Sequence, residues 1–538
     1  MAHPPQTIGD SFTKAMHAYE GGRSQLARKL ATQLTEAHPG FGGGHYLLGL
    51  LALDRRHWRQ AVGHLAHAIS ITPDQVAPHF AMGRALEGTG DLNAAMLHYR
   101  MVLGRDAAHA EAHARLGDLL RQAGRPEEAI NHCRRAIAAL PDHAEARQCL
   151  GALLLERGDA AEAETHLKAA LTLRPLWPAA LCNYAQALKR LGRHDEARVL
   201  AEGAVELKPE NAGFRANLAA ILRATGRADA AMAEADRAVR LDGHCTEAWL
   251  ELGLARRQLG HAEGAAAAFE RALAVAPNLA EAHWCLAESA AELGEPERAA
   301  HHYRACLELD PEDRFGAALG LALAEGGTAP SKAPAAYVRQ LFDDYAERFD
   351  AQLVERLGYR APAVLAEALG RVLGSASGLA VIDAGCGTGL AAPALRPMAT
   401  QLVGIDLSPA MIAKARARGL YDRLEVGELE AALAAEGGSY DLLVAADVLV
   451  YFGDLAPVAA AAHRALKPGG HFAFTVEKAG AGTATYALGV KSRYAHATDY
   501  LRQVAEEAGF AVALIEDTVT RRDDDSDVPG LVAVLKKP

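Results

Sequence analysis

Small residues recur with a period of 34 along the first 325 residues of the chain. One position of each period holds glycine or alanine: Gly49, Gly83, Gly117, Gly151, Ala185, Ala219 and Gly253. An alanine follows each of them 12 residues later: Ala61, Ala95, Ala129, Ala163, Ala197, Ala231 and Ala265. In seven periods, from Pro39 to Pro311, a proline follows 12 residues after the alanine position. Each period predicts two helices that approach closely at the small residues, and the proline ends the second helix because it lacks an N–H.

This pattern resembles the tetratricopeptide repeat, and nine units fit, from 8–41 to 280–313. Residues 314–325 are expected to form a further helix that caps the last unit. The fold class of 8–325 is therefore an all-α tetratricopeptide-repeat superhelix. The resemblance implies a groove that holds a protein or peptide partner. Its lining is expected from first-helix positions: Tyr46, Phe80, Gln148, Gln186, Arg223, Arg257 and Trp284.

The pattern changes after residue 325. Residues 326–335 are rich in Gly, Pro and Ala, so they are expected to form a linker. Phe342, Tyr345 and Phe349 then recur at helical spacing, which places the three rings on one face. Ordinary core packing explains such a face. The alternative is that residues 336–372 form an N-terminal lid helix over a cofactor.

Short apolar runs alternate with helical patterns from Leu379 onward, which predicts a mostly parallel sheet. Seven strands are expected: Leu379–Ala384, Gln401–Ile405, Leu424–Val426, Asp441–Ala446, His471–Val476, Ala511–Asp517 and Leu531–Leu535. Helices are expected near Ala391–Met398, Ala410–Arg418, Leu429–Ala435, Ala456–Ala465 and Ala497–Ala508. Residues 336–538 are therefore expected to be an α/β Rossmann-like domain. Ligands of such sheets bind beyond the carboxyl ends of the strands.

The first strand ends in the glycine turn Asp383-Ala-Gly-Cys-Gly-Thr-Gly389. Glycines let the backbone approach a ligand closely. The turn alone allows a dinucleotide or an adenosyl cofactor, but its glycine spacing differs from G-x-G-x-x-G. Asp406 follows 23 residues after Asp383, at the end of the second strand, where a carboxylate accepts both ribose hydroxyls.

Together, DAGCGTG, GIDLSPAM, the ADVL strand end and LKPGG resemble the class I S-adenosylmethionine-dependent methyltransferases, specifically the bacterial methyltransferases that carry tetratricopeptide repeats. The resemblance implies S-adenosyl-L-methionine as cofactor. Its contacts would be Asp383, Ala384, Gly385, Gly387, Gly389, Asp406, Leu407, Met411, Glu428, Leu429, Ala446 and Asp447. The Pro-Pro-aromatic run of enzymes that methylate planar nitrogens is absent after Asp447. Adenine, cytosine and glutamine are thus poor candidate acceptors.

Candidate catalytic residues lie in KSRYAHATDY, after the fifth strand: Arg493, Tyr494 and His496. His496 is the candidate general base, which is needed only if the acceptor must lose a proton. Arg493 is the candidate clamp for a substrate carboxylate. Residues 521–527 are expected to be a solvated hairpin loop. No metal site is expected.

The net charge of −11 disfavours partners that are themselves strongly negative. Residues 336–538 hold 20 Lys and Arg against 26 Asp and Glu, so nucleic acid is a poor candidate. The sequence contains no run of 18 apolar residues, so a membrane span is not expected. The 7 cysteines form no CxxC pair, which favours a reducing cytoplasm.

We expect an active methyltransferase whose acceptor is a protein or peptide delivered by the repeats. One alternative is a small-molecule methyltransferase whose repeats only dock it to a complex. The other is a non-catalytic adaptor that binds the cofactor.

Overall fold

The computed structural model describes residues 7–346, 349–351, 358–489, 491–523 and 526–538. The chain divides into two compact units, Met1–Leu241 and Asp242–Pro538. This division lies within the repeats and not at residues 326–335, and the domain boundaries drawn from the sequence stay a prediction.

Helix pairs make up the first unit. They are α1 (Ile8–Glu20), α2 (Ser24–Ala37), α3 (Gly42–Asp54), α4 (Trp58–Ile71), α5 (Val76–Thr89), α6 (Leu92–Arg105), α7 (Ala110–Gln122), α8 (Pro126–Ala139), α9 (Ala144–Arg157), α10 (Ala160–Leu173), α11 (Pro178–Arg190), α12 (His194–Leu207), α13 (Ala212–Ala224) and α14 (Ala228–Leu241). Each pair occupies one 34-residue period, as the sequence pattern predicts.

The second unit begins with two more helix pairs and a capping helix. These are α15 (Thr246–Gln258), α16 (Ala262–Val275), α17 (Ala280–Glu292), α18 (Pro296–Leu309) and α19 (Ala317–Glu325). Residues 326–334 lead from α19 into the α/β part. Its helices are α20 (Ala335–Tyr345), α21 (Phe349–Ala351), α22 (Ala361–Leu373), α23 (Ala392–Leu395), α24 (Pro409–Arg418), α25 (Leu429–Ala435), α26 (Ala456–Ala465) and α27 (Thr498–Glu507). Two short 3₁₀ helices, Arg396–Met398 and Leu449–Tyr451, complete it.

Close helix approach explains the glycines of the repeat pattern. A Cβ at Gly83 would lie 2.6 Å from the ring of Tyr99, and one at Gly49 would lie 2.6 Å from the side chain of Leu65. The alanines 12 residues later, such as Ala95, are fully buried between the paired helices. The prediction that small residues set the spacing of the helix pairs is confirmed.

One mixed sheet organises the α/β part. Its strands are β1 (Leu379–Ala384), β2 (Ala399–Asp406), β3 (Arg423–Val426), β4 (Tyr440–Ala445), β5 (Leu466–Lys478), β6 (Tyr486–Leu488), β7 (Tyr494–His496), β8 (Ala511–Asp523) and β9 (Ser526–Lys536). The order β3-β2-β1-β4-β5 is parallel throughout, and β9 then pairs antiparallel with β5 and β8.

The sheet has nine strands in the described part of the chain, against the seven expected. The two additional strands, β6 and β7, form a three-residue antiparallel pair beside the end of β5. They are too short to show an alternating pattern, so the sequence does not predict them.

Apolar side chains fill both faces of the sheet. One cluster lies between the sheet and α25, α26 and α27, and includes Ile382, Leu443 and Phe472. The other lies against α22 and α23, and includes Val381 and Leu442. Because neighbouring residues of a strand point to opposite faces, a sheet covered on both sides reads as a continuous apolar run. This burial holds the carboxyl ends of β1, β2, β4 and β5 in fixed register.

Residues 329–334 pack against the α/β part of the second unit. The backbone N–H of Ala333 donates to Tyr451 O at 2.8 Å, and the N–H groups of Gly453 and Asp454 both donate to Ser331 O at 2.8 Å. Leu319 of α19 is fully buried in one cluster with Ala333 and Tyr451. This stretch is thus part of the structure that surrounds the carboxyl ends of the strands.

None of the described helices combines the length and apolar character that crossing a bilayer requires.

Candidate active site

A cavity of about 310 Å³ opens at the carboxyl ends of β1, β2 and β4. It lies where the strand order reverses between β1 and β4, which is the usual ligand position in such sheets. Ten of the residues proposed from the sequence line it: Asp383, Gly385, Gly387, Asp406, Leu407, Glu428, Leu429, Ala446, Asp447 and Arg493. Ala384, Gly389, Met411, Tyr494 and His496 are not part of the lining.

The glycine turn brings backbone to the cavity. Gly385 and Gly387 have φ values of 72° and 54°, which a side chain would make costly. A Cβ at Gly385 would also collide with the side chain of Val448. The N–H of Gly387 donates to a carboxylate oxygen of Asp406 at 2.8 Å, which ties the turn to the end of β2.

Asp383 is a buried acid with one oxygen in use. Its Oδ2 accepts a hydrogen bond of 2.6 Å from the Tyr421 hydroxyl, whereas Oδ1 is buried with no hydrogen-bond partner. Burial raises the pKa of Asp383 to about 7, against the opposing effect of the Tyr421 hydrogen bond. The side chain therefore offers an acceptor for a cationic group of a ligand. Tyr421 was missed from the sequence because no local pattern pairs it with Asp383.

Asp406 is the second buried acid of the cavity. Its two oxygens accept backbone N–H groups from Gly387 at 2.8 Å and Ser408 at 2.9 Å. Burial is the main cause of its raised pKa, and these hydrogen bonds act in the opposite direction. Each carboxylate oxygen has two lone pairs, so both oxygens can also accept from a diol.

Glu428 and Leu429 line the cavity at the start of α25. Lys332 donates to Glu428 at 3.3 Å and to Glu430 at 2.6 Å. The predicted linker thus supplies a cation to this edge of the cavity.

Aromatic side chains form a wall over the cavity. Phe342, Tyr345 and Phe349 all line it, and the ring of Phe349 lies 6.0 Å from Phe342 and 5.8 Å from Tyr345. Phe342 also meets Tyr451 edge to face at 5.6 Å. The three rings meet as the spacing suggests, but α20 ends at Tyr345 and Phe349 begins α21, so they do not share the face of one helix. Closure as a lid stays a prediction. The expected segment 336–372 includes 347–348 and 352–357, which lie outside the described residues.

Two carboxylates hold this wall in place. Asp343 of α20 accepts hydrogen bonds from the Ser408 hydroxyl and from the Ala410 N–H. Asp350 accepts from Thr388 and pairs with Arg418. Both carboxylates thereby connect the aromatic segment to loops that carry the glycine turn and Asp406.

A charged cluster lies at the carboxyl ends of β4 and β5. Asp447 has φ of 58° and accepts two hydrogen bonds from Arg521, at 3.0 and 3.1 Å. Arg521 also pairs with Glu477. Arg493 Nη1 lies 3.6 Å from Asp447 and 3.7 Å from Glu477. The Tyr359 hydroxyl donates to Ala446 O at 3.3 Å, on the same side of the cavity.

The expectation that residues 521–527 form a solvated loop is wrong at Arg521, which is only 5% exposed and lines the cavity. Its neighbour Arg522 is exposed, and 524–525 lie outside the described residues. Arg521 was misjudged because a run of charges is typical of solvent-exposed loops, and its partners are more than 40 residues away in sequence.

The structure does not bring His496 or Tyr494 to the cavity. His496 is fully buried, with Nε2 3.2 Å from Gly453 O, and its ring stacks on Tyr500. Burial lowers its pKa to about 4. The Tyr494 hydroxyl donates to Pro330 O at 2.6 Å, and its side chain is fully buried. The two side chains share one face of β7 because side chains alternate along a strand. Only Arg493, which precedes β7, reaches the cavity.

The chain shares sequence features with known protein families and relatives. A methyltransferase-domain family model matches residues 382–474. Tetratricopeptide-repeat models match 12–77, 80–144 and 250–314, and also 120–181 and 188–254.

The curated relatives match only within the α/β part. Human methyltransferase-like protein 27 is 39% identical over 106 residues, which are 19% of this chain and 43% of that protein. The ubiquinone biosynthesis O-methyltransferase of Xanthomonas oryzae pv. oryzae is 33% identical over 98 residues, which are 18% of this chain and 41% of that protein. The chain thus spans less than half the length of these relatives.

A solved S-adenosylmethionine dependent methyltransferase from Mesorhizobium loti is 22% identical, with a TM-score of 0.25; the match covers 32% of this chain and 96% of that one.

Proposed function

We propose that this chain, which joins tetratricopeptide repeats to a methyltransferase domain, is an S-adenosylmethionine-dependent methyltransferase. Its repeats would recruit the acceptor or a partner protein. The observation that carries the proposal is the buried Asp383 carboxylate, with one oxygen unpartnered at the end of β1. Such an oxygen fits the ammonium group of an amino-acid cofactor, because a buried acceptor gains most from a cationic donor.

The other lining residues fit the rest of the same cofactor. Asp406 would accept the ribose hydroxyls, and Leu407 and Leu429 would pack against the adenine beside Glu428. Gly385 and Gly387 would bring the backbone of the turn to its amino-acid end, since the turn needs positive φ values that suit glycine. When bound, the cofactor supplies an electrophilic methyl group.

Three residues predicted to contact the cofactor, Ala384, Met411 and Gly389, are not part of the cavity lining, so their role would be indirect. Ala384 and Met411 are fully buried, and they would hold the ends of β1 and α24 in place. Gly389 has φ of 88° and lets the turn close against Tyr421.

The chain's own residues would align the acceptor. Methyl transfer to a heteroatom is an in-line displacement, so its rate depends mainly on how the reacting atoms are positioned. Tyr359, Arg493 and the ion pair of Asp447 with Arg521 lie where the acceptor would enter. The aromatic wall of Phe342, Tyr345 and Phe349 excludes water from that space. His496 is excluded from direct proton transfer by its position.

The repeats support recruitment of a protein or peptide. The seven groove positions named from the sequence all lie half-buried on the first helix of their repeat. In the second unit, Arg257 lies over the ring of Trp284 at 5.3 Å, and Trp284 stacks on Phe315 at 5.9 Å. Partly exposed aromatic and arginine side chains are typical anchors of protein interfaces.

A small-molecule acceptor is the second candidate, and the cavity itself favours it. The cavity of about 310 Å³, which would also hold the cofactor, is at the small end for ligand pockets. A protein acceptor would have to insert a single side chain or terminus.

A reducing compartment such as the cytoplasm fits the cysteines. The seven cysteines, all within the described residues, form no disulfide, and six of them are buried. Disulfides are rare in that compartment.

Calorimetry with S-adenosylmethionine tests the proposal. Asp406→Ala is expected to weaken binding by about 10- to 100-fold, because hydrogen bonds to a buried carboxylate are lost. Asp499→Ala, at an exposed position of α27, is the matched control and is expected to bind as the original chain does. Failure of the unaltered chain to bind, or equal binding by the Asp406 variant, would refute the site.

A further inference from the structure

The charged cluster beside Asp447 holds two arginines in different ways. Arg521 donates to Asp447 twice and also pairs with Glu477, and its side chain is 6% exposed. Arg493 lies at ion-pair distances of 3.6 and 3.7 Å from the same two carboxylates, and its side chain is 28% exposed. Arg521 therefore makes the short contacts with both carboxylates. Arg493 balances the second negative charge from a more exposed position, from which it can also donate to a ligand.

The position of Arg493 suits an anionic ligand. Its guanidinium lies over the ring of Tyr451, 5.7 Å from the centroid, and it lines the cavity. Lys332, the other cation of the described lining apart from Arg521, lies at Glu428 and Glu430. The planar guanidinium matches a carboxylate, since it can donate two parallel hydrogen bonds.

The described lining offers no available general base on this side of the cavity. No histidine is among the lining residues that the structure describes. Asp447 is held by Arg521, and Glu428 and Glu430 are held by Lys332. Asp383 and Asp406, the other acids of the described lining, would contact the cofactor in the proposed function. An acceptor that must lose a proton, such as a phenol or an ammonium group, would lack a partner for it. A carboxylate is already ionised at neutral pH and needs none.

We infer that the acceptor is an apolar carboxylic acid, bound as its carboxylate by Arg493, and that the product is its methyl ester. The inference rests on the proposed function. A carboxylate oxygen gives an electron pair to the methyl carbon, the O–C bond forms as the C–S bond breaks, and the electrons of that bond stay on sulfur. No proton moves, and no oxidant or reductant is required.

The aromatic walls favour this reaction. An anion and a sulfonium cation lose their opposite charges as the bond forms, so a medium of low polarity disfavours the charged reactants more than the transition state. Phe342, Tyr345 and Tyr359 supply such surroundings and also fit the apolar part of the acid. Arg521 is a positioning residue here, because it keeps Asp447 and Glu477 paired beside the incoming carboxylate.

The test uses the full chain, tritium-labelled S-adenosylmethionine and three probes of similar shape: 4-phenylbutyrate, 4-phenylbutanamide and 4-propylphenol. A methyl ester releases its label as volatile methanol in alkali, whereas a methyl ether or N-methyl group does not. Transfer to the acid alone, with label released by alkali, is the expected result. Labelled products of the phenol or amide without a product of the acid would overturn the inference.

Arg493→Gln adds a second readout. This substitution is expected to raise the KM for the acid by about 10- to 100-fold. The Kd of the acid, measured by calorimetry with S-adenosylhomocysteine present, should rise by the same factor. The affinity for S-adenosylmethionine should stay unchanged. Arg502→Gln, at an exposed arginine of α27, is the matched control. An unchanged Kd and KM in the Arg493 variant would refute its role.

A lysate of the producing cell tests acids other than 4-phenylbutyrate. After labelling it is separated into small-molecule and protein fractions. Alkali-released label in either fraction supports the inference, and the fraction tells a free acid from a carboxyl group of a protein. Label that resists alkali in both fractions overturns the inference but keeps the proposed function. If S-adenosylmethionine binds and no label is transferred to any acceptor, both proposals fail.

Discussion

At the scale of single residues, the carboxylates of the cavity differ in what surrounds them. Asp406 accepts two backbone N–H groups, and Asp447 is paired with Arg521. Asp383 has only the Tyr421 hydroxyl. Burial with so little support favours the protonated form of Asp383. It is therefore the residue whose charge a ligand would change most.

We predict that S-adenosylmethionine binding releases protons through Asp383. Its pKa is raised to about 7 by burial, so part of the population is protonated at pH 6.5. A cofactor ammonium beside it favours the ionised form and lowers that pKa, so up to one proton leaves on binding. Calorimetry in two buffers with different ionisation enthalpies measures this release.

Asp383→Asn is expected to abolish the release and to weaken binding by about 10-fold or more. Asp344→Asn, at an exposed position of α20, serves as the control. Proton release that persists in the Asp383 variant would place the titrating group elsewhere.

At the scale of elements, the helix pairs depend on the absence of side chains at one point. Gly83 of α5 faces Tyr99 of α6, and the two backbones can approach only because no Cβ intervenes. Gly104 of the same pair has open space around it. The two positions thus separate packing from helix propensity within one repeat.

We predict that Gly83→Ala lowers the free energy of unfolding of its unit by about 1–3 kcal/mol, because a Cβ would force Tyr99 from its position. Gly104→Ala should instead leave it unchanged or raise it by up to about 1 kcal/mol, since alanine is the better helix former. Thermal and urea unfolding followed by circular dichroism compare the two variants. Equal stability of both variants would contradict the packing argument.

Histidine pairs join the two helices within several repeats. The Nδ1 atoms of His113 and His132 lie 2.8 Å apart, and Nε2 of His113 lies 3.1 Å from Ala107 O. A carbonyl can only accept, so Nε2 of His113 carries its proton and Nδ1 accepts from His132. The same arrangement joins His79 to His98 and His283 to His302.

We predict that these pairs make the repeats sensitive to acid. Burial lowers the pKa of His132 to about 4, with nearby His113 and Arg135 adding to the effect, while Glu128 opposes it. The unfolded chain binds protons from about pH 6.5 downwards. Stability is thus complete above about pH 6.5 and falls as the pH drops towards 4, on the order of 1 kcal/mol per pair after solvent screening.

Thermal unfolding between pH 7.5 and 4.5 measures this loss. His132→Asn keeps a donor for His113 but cannot bind the additional proton, so its unfolding temperature should fall less over that range. His38→Asn, at an exposed histidine, should behave as the original chain. A parallel fall in all three proteins would refute the contribution of the pair.

At the scale of the whole molecule, the last repeats belong to the same compact unit as the α/β part. Leu319 of the capping helix is buried with Val450 and Tyr494, and Ala333 joins them from the segment that follows. Tyr494, proposed from the sequence as a catalytic residue, serves this packing by donating to Pro330 O. The unit from Asp242 onward is therefore the smallest part expected to keep the cavity intact.

We predict that residues 242–538 bind S-adenosylmethionine with the affinity of the full chain. Residues 326–538 should bind it weakly or unfold at a lower temperature, because deletion of α19 exposes the apolar cluster around Leu319. Calorimetry and thermal unfolding of both fragments provide the comparison. Full stability of the shorter fragment would show that the cluster adds nothing to the site.

Local patterns in the sequence were sufficient for the repeats and for most of the sheet. The 34-residue period specifies the helix pairs because each unit packs mainly on its neighbours. The β1 strand and its glycine turn follow from an apolar run and the spacing of Asp383 and Asp406. Since these signals depend on nearby residues, they could be interpreted before any contact was known.

The charged side of the cavity, beside Asp447, was decided only by the tertiary structure. Arg521 reaches Asp447 across 74 residues, and Tyr359 reaches Ala446 across 87. Such partners meet because the strand order brings β8 and the segment before α22 to the ends of β4 and β5. Local sequence patterns carry no information about that order. For the same reason His496 and Arg493, three residues apart in the sequence, were separated by the fold into a buried packing residue and a cavity residue.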